Sequence, residues 1–224
     1  VSSYKVASMH LGEFEFLKHL SKKNKPFIVS TGMANQNEVT KTFNYLKKLK
    51  NKKFAILQCT SNYPTKYKEV NLNVIGMYNK IFKNIIGFSD HTIGYEAAML
   101  SIAMGSKILE KHFTLDKNMS GPDHSSSVTP KELKLLISKI RDAEIILGSS
   151  VKSKSKSEIL NEKNMKRSIV SNVYIKKNTI IEKQMLTYKR PGSGISPNKI
   201  SELLGKKIKK NINKDTIIKF EMVY

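Results

Sequence analysis

Residues 85–112 read Ile85-Ile-Gly-Phe-Ser-Asp-His-Thr-Ile-Gly-Tyr-Glu-Ala-Ala-Met-Leu-Ser-Ile-Ala-Met-Gly-Ser-Lys-Ile-Leu-Glu-Lys-His112. A β-type run over 85–88 ends in Ser89-Asp90-His91. A helical pattern follows over 95–104, and a second β-type run over 107–109 ends in Glu110-Lys111-His112. Strand, helix and strand at this spacing make a parallel βα unit. The same alternation extends outward through the first 146 residues. Further β-type runs fall at 4–7, 27–29 and 54–57, with helical patterns over 13–22, 36–49, 72–82 and Pro130–Leu147. In the last of these Leu133, Leu136, Ile140, Ala143 and Ile146 form an amphipathic stripe. Thr129 is the expected cap, with Pro130 in the first turn.

Each run ends in polar residues: Ser8, Ser30-Thr31-Gly32, Cys59-Thr60-Ser61, Ser89-Asp90-His91 and Glu110-Lys111-His112. Parallel α/β folds bind ligands at the carboxyl ends of their strands, so these five ends mark one candidate site. Five units fit an open flavodoxin-like sheet. They also fit a (β/α)8 barrel that is three units short.

Composition narrows the classes. The chain has 224 residues, of which 39% are hydrophobic, enough for a core. No stretch approaches the 18 or so apolar residues of a membrane span. Cys59 is the single cysteine, which excludes an intrachain disulfide and suits a reducing, cytoplasmic setting. The net charge of +22 nominates an anionic partner, yet Arg occurs only at 141, 167 and 190. Nucleic-acid readers favour Arg for bidentate contacts. The spread Lys residues read instead as a solvated surface that draws in small anions, with neither nucleic acid nor membrane as partner.

Past Leu147 the texture changes. Residues 148–164 open with a Ser/Lys-rich run that has no hydrophobic period and read as a linker. Residues 165–224 read as a small β-rich domain, with short strands at 168–171, 173–175, 179–181, 185–188 and 216–218. Within it, Arg190-Pro-Gly-Ser-Gly-Ile195 forms a tight loop.

His91 and His112 each sit just past a strand, so both imidazoles can face one cavity and grip a divalent ion. On spacing alone, satisfied loop histidines are the stronger reading. The hydroxyls of the strand ends, with Lys5, suit a phosphate or carboxylate; ordinary strand-end capping is the competing reading. Gly121-Pro-Asp123-His124 forms a polar loop, Tyr63-Pro64 is either packing or a pocket wall, and Cys59 reads as buried rather than nucleophilic.

In order along the chain stand Tyr4-Lys5-Val-Ala-Ser8, Lys25-Pro-Phe-Ile-Val-Ser30-Thr-Gly-Met33 and Leu57-Gln-Cys-Thr-Ser-Asn-Tyr-Pro64. Gly87-Phe-Ser-Asp-His-Thr92, Glu110-Lys-His-Phe-Thr114, Gly121-Pro-Asp-His124 and Lys189-Arg-Pro-Gly192 follow. The series resembles the sialic acid synthase family, of the N-acetylneuraminate and legionaminate type. Residues 165–224 resemble its SAF, or antifreeze-like, domain, with Arg167-Ser-Ile-Val and Lys189-Arg-Pro-Gly-Ser-Gly-Ile195 as landmarks.

The resemblance implies that 1–147 are about the last five βα units of a TIM barrel, followed by the linker and the SAF domain. It implies a transferase that condenses phosphoenolpyruvate with an N-acylmannosamine-type sugar and releases phosphate. By that similarity Lys5, Ser8, Ser30 and Ser89 hold phosphoenolpyruvate, and His91 and His112 hold Mn2+ or Mg2+. Tyr63 and Asp123 contact the sugar. Arg190 reaches into the partner subunit of a domain-swapped homodimer. Catalysis would fall to His91, His112, Lys5 and Asp123. Two departures stand out: Met9-His10 replaces a small residue and Glu, and Gln58 replaces a His of some members. Because the first three units carry further contacts in the family, this chain is expected to be inactive alone, with a separate N-terminal barrel fragment as one source of the rest. A non-catalytic remnant that binds sugar acids or a partner is the alternative.

Overall fold

A computed structural model describes residues 1–224. In its first unit, Val1–Gly148, five strands are paired entirely in parallel. These are β1 (Tyr4–Val6), β2 (Phe27–Ser30), β3 (Phe54–Cys59), β4 (Ile85–Asp90) and β5 (Leu109–Lys111), in spatial order 1-2-3-4-5. The connecting helices are α1 (Phe14–Lys22), α2 (Gln36–Lys48), α3 (Asn73–Ile81) and α4 (Glu96–Ala103), with α5 (Pro130–Leu147) after the last strand. The order decides between the two architectures. A flavodoxin-like sheet reverses direction at a switch point, whereas a monotonic order with right-handed crossovers places every helix on one face. Such a sheet curls, and the unit is part of a (β/α)8 barrel.

Burial follows from that curl. All six residues of β3 are buried, as befits a strand covered on both faces. The layer between sheet and helices is built from Phe27, Val29, Ile56, Ile86 and Phe88 against Leu17, Leu20, Val39, Leu46 and Ile75. Phe43 of α2 stacks on Phe82 at 4.3 Å between centroids and meets Phe54 edge-on at 5.8 Å. Helix starts are fixed by polar side chains. Asn35 with Glu38 and Thr129 with Glu132 form capping boxes, and Pro130 occupies the first turn of α5. Leu133, Ile140 and Ala143 are half-buried and Leu136 is buried, but Ile146 is 82% exposed, so the stripe of α5 is covered only as far as its fourth turn.

Four strands run further than their apolar residues suggest, β2 by one residue to Ser30. β3 extends to Cys59 and β4 to Asp90, while β5 lies two residues beyond the expected 107–109. The ladder is made by backbone groups and continues into polar sequence while the register holds, pairing Cys59 with Ser89, Ser89 with Glu110 and Asp90 with Lys111.

The second unit spans Ser149–Tyr224. The stretch read as a linker contains a helix, α6 (Lys156–Met165), none of whose residues is buried. Local contacts hold it. Ser155 and Glu158 form a capping box, and Lys154 and Lys166 flank Glu162, whose carboxyl they hold down at about 2. Next, β6 (Ser168–Ser171) pairs antiparallel with β7 (Leu186–Lys189). The other expected strands are single bridges, Ile175 to Ile212, Ile180 to Lys207 and Val170 to Ile217. Left-handed residues Asn178 and Asp215 turn the chain before longer ladders form. Ile169, Ile175, Ile181, Leu203, Ile208 and Ile218 make this unit's own core.

Candidate active site at the strand ends

Side chains alternate across a strand, so Ser89 and His91 share one face of β4 and its continuation, and Glu110 and His112 share the matching face of β5. The register brings the two sets together. The ring centroids of His91 and His112 lie 5.2 Å apart with planes at 72°, and the Tyr63 ring packs against both, 4.2 Å from His91 and 5.4 Å from His112. Asp123 Oδ2 stands 3.5 Å from His112 Nδ1. On the same side Glu110 Oε1 accepts a 2.7 Å hydrogen bond from Ser89 Oγ and pairs with Lys5 Nζ at 3.4 Å.

A second string of contacts starts at β1. Ser8 Oγ accepts from the Gly32 amide at 2.9 Å and donates to Cys59 Sγ at 3.7 Å. Cys59 Sγ lies 3.9 Å from His91 Nδ1, which also contacts the Thr60 carbonyl at 2.8 Å. That carbonyl can only accept, so Nδ1 carries the proton and Nε2 keeps a free lone pair. A cavity of about 350 Å3 borders this string at Ser8 and Gly32.

Electrostatics follow from these contacts. Burial pushes the Cys59 thiol up, but hydrogen bonds with His91 and Ser8 and the charge of His91 outweigh it, leaving the thiol below its ordinary value. For His91, burial disfavours the proton, while Cys59, the Thr60 carbonyl and Asp90 favour it, and the net direction is upward. Tyr63 is raised by burial and by negative charge at Cys59, Asp123 and Glu110.

Lys5 and Ser89 are thus linked through Glu110, and Ser8, His91, Tyr63, His112 and Asp123 through Cys59 and the ring contacts, all at the carboxyl ends of the strands. Ser30 closes β2 with a hydroxyl that is buried and has no hydrogen-bond partner. Arg190 belongs to the second unit, where its Nε donates to the Met165 carbonyl at 3.2 Å. Sequence reasoning placed Glu110 at a strand end without a role; here it holds both Lys5 and Ser89. It also left Cys59 without a histidine partner; the structure sets His91 beside it, with the protonated Nδ1 facing the sulfur. Gln58 is buried and donates to the Val70 carbonyl, while His10 pairs with Glu13.

The donor set bears on metal binding. Two imidazoles about 2 Å from one ion set their centroids about 5 Å apart, which the observed separation matches. No group of three or more His, Cys, Asp or Glu side chains is arranged to hold an ion, so His91 and His112 would supply two ligands and any others would have to come from water or substrate.

Residues 1–152 match the NeuB family and residues 166–223 the SAF domain. Over 218 residues the chain is 41% identical to the N,N'-diacetyllegionaminic acid synthase of Campylobacter jejuni, covering 96% of this chain and 65% of that protein. It is 37% identical over 225 residues to human N-acetylneuraminate-9-phosphate synthase, covering 100% and 62%. The crystal structure of the N-acetylneuraminic acid synthetase of Leptospira borgpetersenii, solved with citrate, superposes with a TM-score of 0.68 at 32% identity, covering 72% of this chain and 56% of that one. This chain therefore spans less than two thirds of the length of these curated relatives.

Proposed function

This chain belongs to the NeuB family, and from that premise we propose that its strand-end cluster is the catalytic core of a sialic-acid-type synthase. The reaction condenses phosphoenolpyruvate with an N-acylmannosamine-type sugar to give a nonulosonic acid and phosphate. The observation that carries the reading is the meeting of His91, Tyr63 and His112 beside Lys5, Glu110 and Ser89.

Lys5 supplies positive charge, and the hydroxyls of Ser8, Ser30 and Ser89 supply donors, for the phosphate and carboxylate of phosphoenolpyruvate. Ser30 is ready for this because its buried hydroxyl has no partner of its own. Glu110 keeps Lys5 and Ser89 in place until the anion arrives. None of these groups competes as a nucleophile, so they orient the donor's methylene toward the aldehyde carbon, and positioning of this kind provides much of the rate. As the carbon–carbon bond forms, charge grows on the aldehyde oxygen. Manganese or magnesium held by His91 and His112 would act there as a Lewis acid. Tyr63 and Asp123 border the same space and would orient the sugar. Water then adds to the former enol carbon, and phosphate leaves by C–O cleavage.

The finer parts of the reading go with it: a cytoplasmic enzyme, a domain-swapped homodimer in which Arg190 serves the partner's site, and dependence on further barrel units for turnover. No helix of the chain is long and apolar enough to cross a membrane. Titration calorimetry with Mn2+ and phosphoenolpyruvate tests the core of the proposal. The chain should bind both, and His91→Ala should abolish Mn2+ binding; undiminished Mn2+ affinity in that variant refutes the metal assignment. Phosphate release with both substrates and Mn2+ tests the rest. Little or no turnover is expected from the chain alone, and full turnover refutes its dependence on further units. Binding of sugar acids without any metal or phosphoenolpyruvate affinity would favour a non-catalytic binding subunit.

A further inference from the structure

Directly before each of the two imidazoles stands a charged residue, and the two are paired. Lys111 Nζ donates to Asp90 Oδ2 at 2.8 Å and to the Thr92 carbonyl at 2.6 Å, while Asp90 Oδ1 accepts from the Thr92 amide at 2.8 Å. The side chains are 4% exposed for Lys111 and 0% for Asp90. These contacts close a ring through residues 90, 92 and 111 that brackets the backbone of His91 on both sides and ties it to the residue preceding His112. Alternation along the strands puts Asp90 and Lys111 on the face opposite Ser89, His91, Glu110 and His112. The pair lies behind the imidazoles and makes no hydrogen bond or ion pair with either ring, though the charge of Asp90 favours a proton on His91.

Burying an ion pair costs desolvation that its attraction scarcely repays, and apolar residues of similar volume often serve stability equally well. The best-attested use of such a pair is to fix a register. We propose that Asp90 and Lys111 are positioning residues: a cross-strand clamp that sets the register of the last rung between β4 and β5 and so holds the His91 and His112 rings within reach of one divalent ion. The ion itself rests on the reading above; the placing of the rings does not. Groups hydrogen-bonded directly to metal-ligating imidazoles govern affinity about 10- to 100-fold, and a clamp that acts through the backbone is expected at the lower end of that range.

The test uses the full chain and the variant Asp90→Asn/Lys111→Met, which removes both charges and leaves neither buried alone. Two quantities are read in protein shown by circular dichroism and cooperative melting to be folded: Mn2+ affinity by electron paramagnetic resonance, and metal-free ring-proton nuclear Overhauser effects among Tyr63, His91 and His112. The clamp requires these ring contacts to be lost and Mn2+ affinity to fall at least about tenfold. A folded variant that keeps the ring contacts overturns it, whatever its affinity. Should the double variant not fold, Asp90→Leu/Lys111→Met, which likewise leaves no charge buried alone, is read by the same criterion. His91→Ala separates the two ideas. If that variant binds Mn2+ as the wild type does, the metal reading falls and the ring contacts alone decide the clamp. If it loses Mn2+ while the clamp variants keep it, the clamp falls and the metal reading stands.

Discussion

The sulfur of Cys59 stands 3.9 Å from Nδ1 of His91, so the thiol at the end of β3 and the imidazole after β4 share one proton environment. Burial works against a charge on either group, and their mutual contact works for it; the contact prevails in both, raising His91 and lowering Cys59.

Replacing Cys59 with Ala removes the partner and leaves the burial. The midpoint of His91 should then move down, read from its ring Hε1 signal across pH 5–9, and an unmoved midpoint would contradict the coupling. The sign for stability follows. Because the folded-state value is raised, the contribution is fully present below the unfolded value near 6.5 and fades as pH rises through the folded one. Cys59→Ala should flatten that dependence.

Gly87 lies in the middle of β4, where an added Cβ would sit 2.5 Å from the Ile108 carbonyl and 2.5 Å from Leu57 Cδ2. One obstacle is the backbone of Ile108, the residue that leads into β5; its carbonyl is held by the Phe88 amide at 2.8 Å and cannot rotate aside. Gly87→Ala should therefore destabilise the first unit by about 1–3 kcal/mol, the range for overpacked cores. Urea unfolding checks this, and an unchanged midpoint would show that the sheet gives more easily than its contacts imply.

Along α5 the sequence stripe and the observed burial part company. Leu136 is 1% exposed and Ile146 is 82% exposed. Leu136→Ala should cost about 2–5 kcal/mol, and Ile146→Ala about 0.5 kcal/mol or less. Similar losses from both would mean that the end of α5 is covered in solution.

In the second unit Ser168 is buried, donates to the Pro191 carbonyl at 2.6 Å and accepts from the Gly194 amide at 2.8 Å, pinning the loop that carries Arg190. Ser168→Ala orphans both backbone groups and should cost about 1–3 kcal/mol. Backbone 15N relaxation should report a looser 190–195 loop, and an equally ordered one would assign its rigidity elsewhere.

The five βα units are readable from the sequence because each strand is a compact apolar run and each helix has its own period and cap, as at Thr129 and Pro130. Where the strands stop is less readable. The last rungs of β3, β4 and β5 are polar, and only register shows that they still pair. The same limit applies at the site. Ser89, His91 and His112 stand out as strand-end residues, but the contacts of Glu110 with Lys5 and of Cys59 with His91 arise across strands far apart in sequence. In α6 the absence of an apolar stripe hides a helix that Ser155, Glu158 and Glu162 hold by local bonds.

The monotonic order of the sheet has a consequence for how the unit assembles. Every strand finds its partner in the segment just before or after it, Tyr4 with Phe27 and Phe88 with Leu109, and no pairing skips over an intervening stave. Loops closed during folding therefore stay short, each new βα segment can dock on the one already formed, and the growing sheet never waits for a distant stretch of chain.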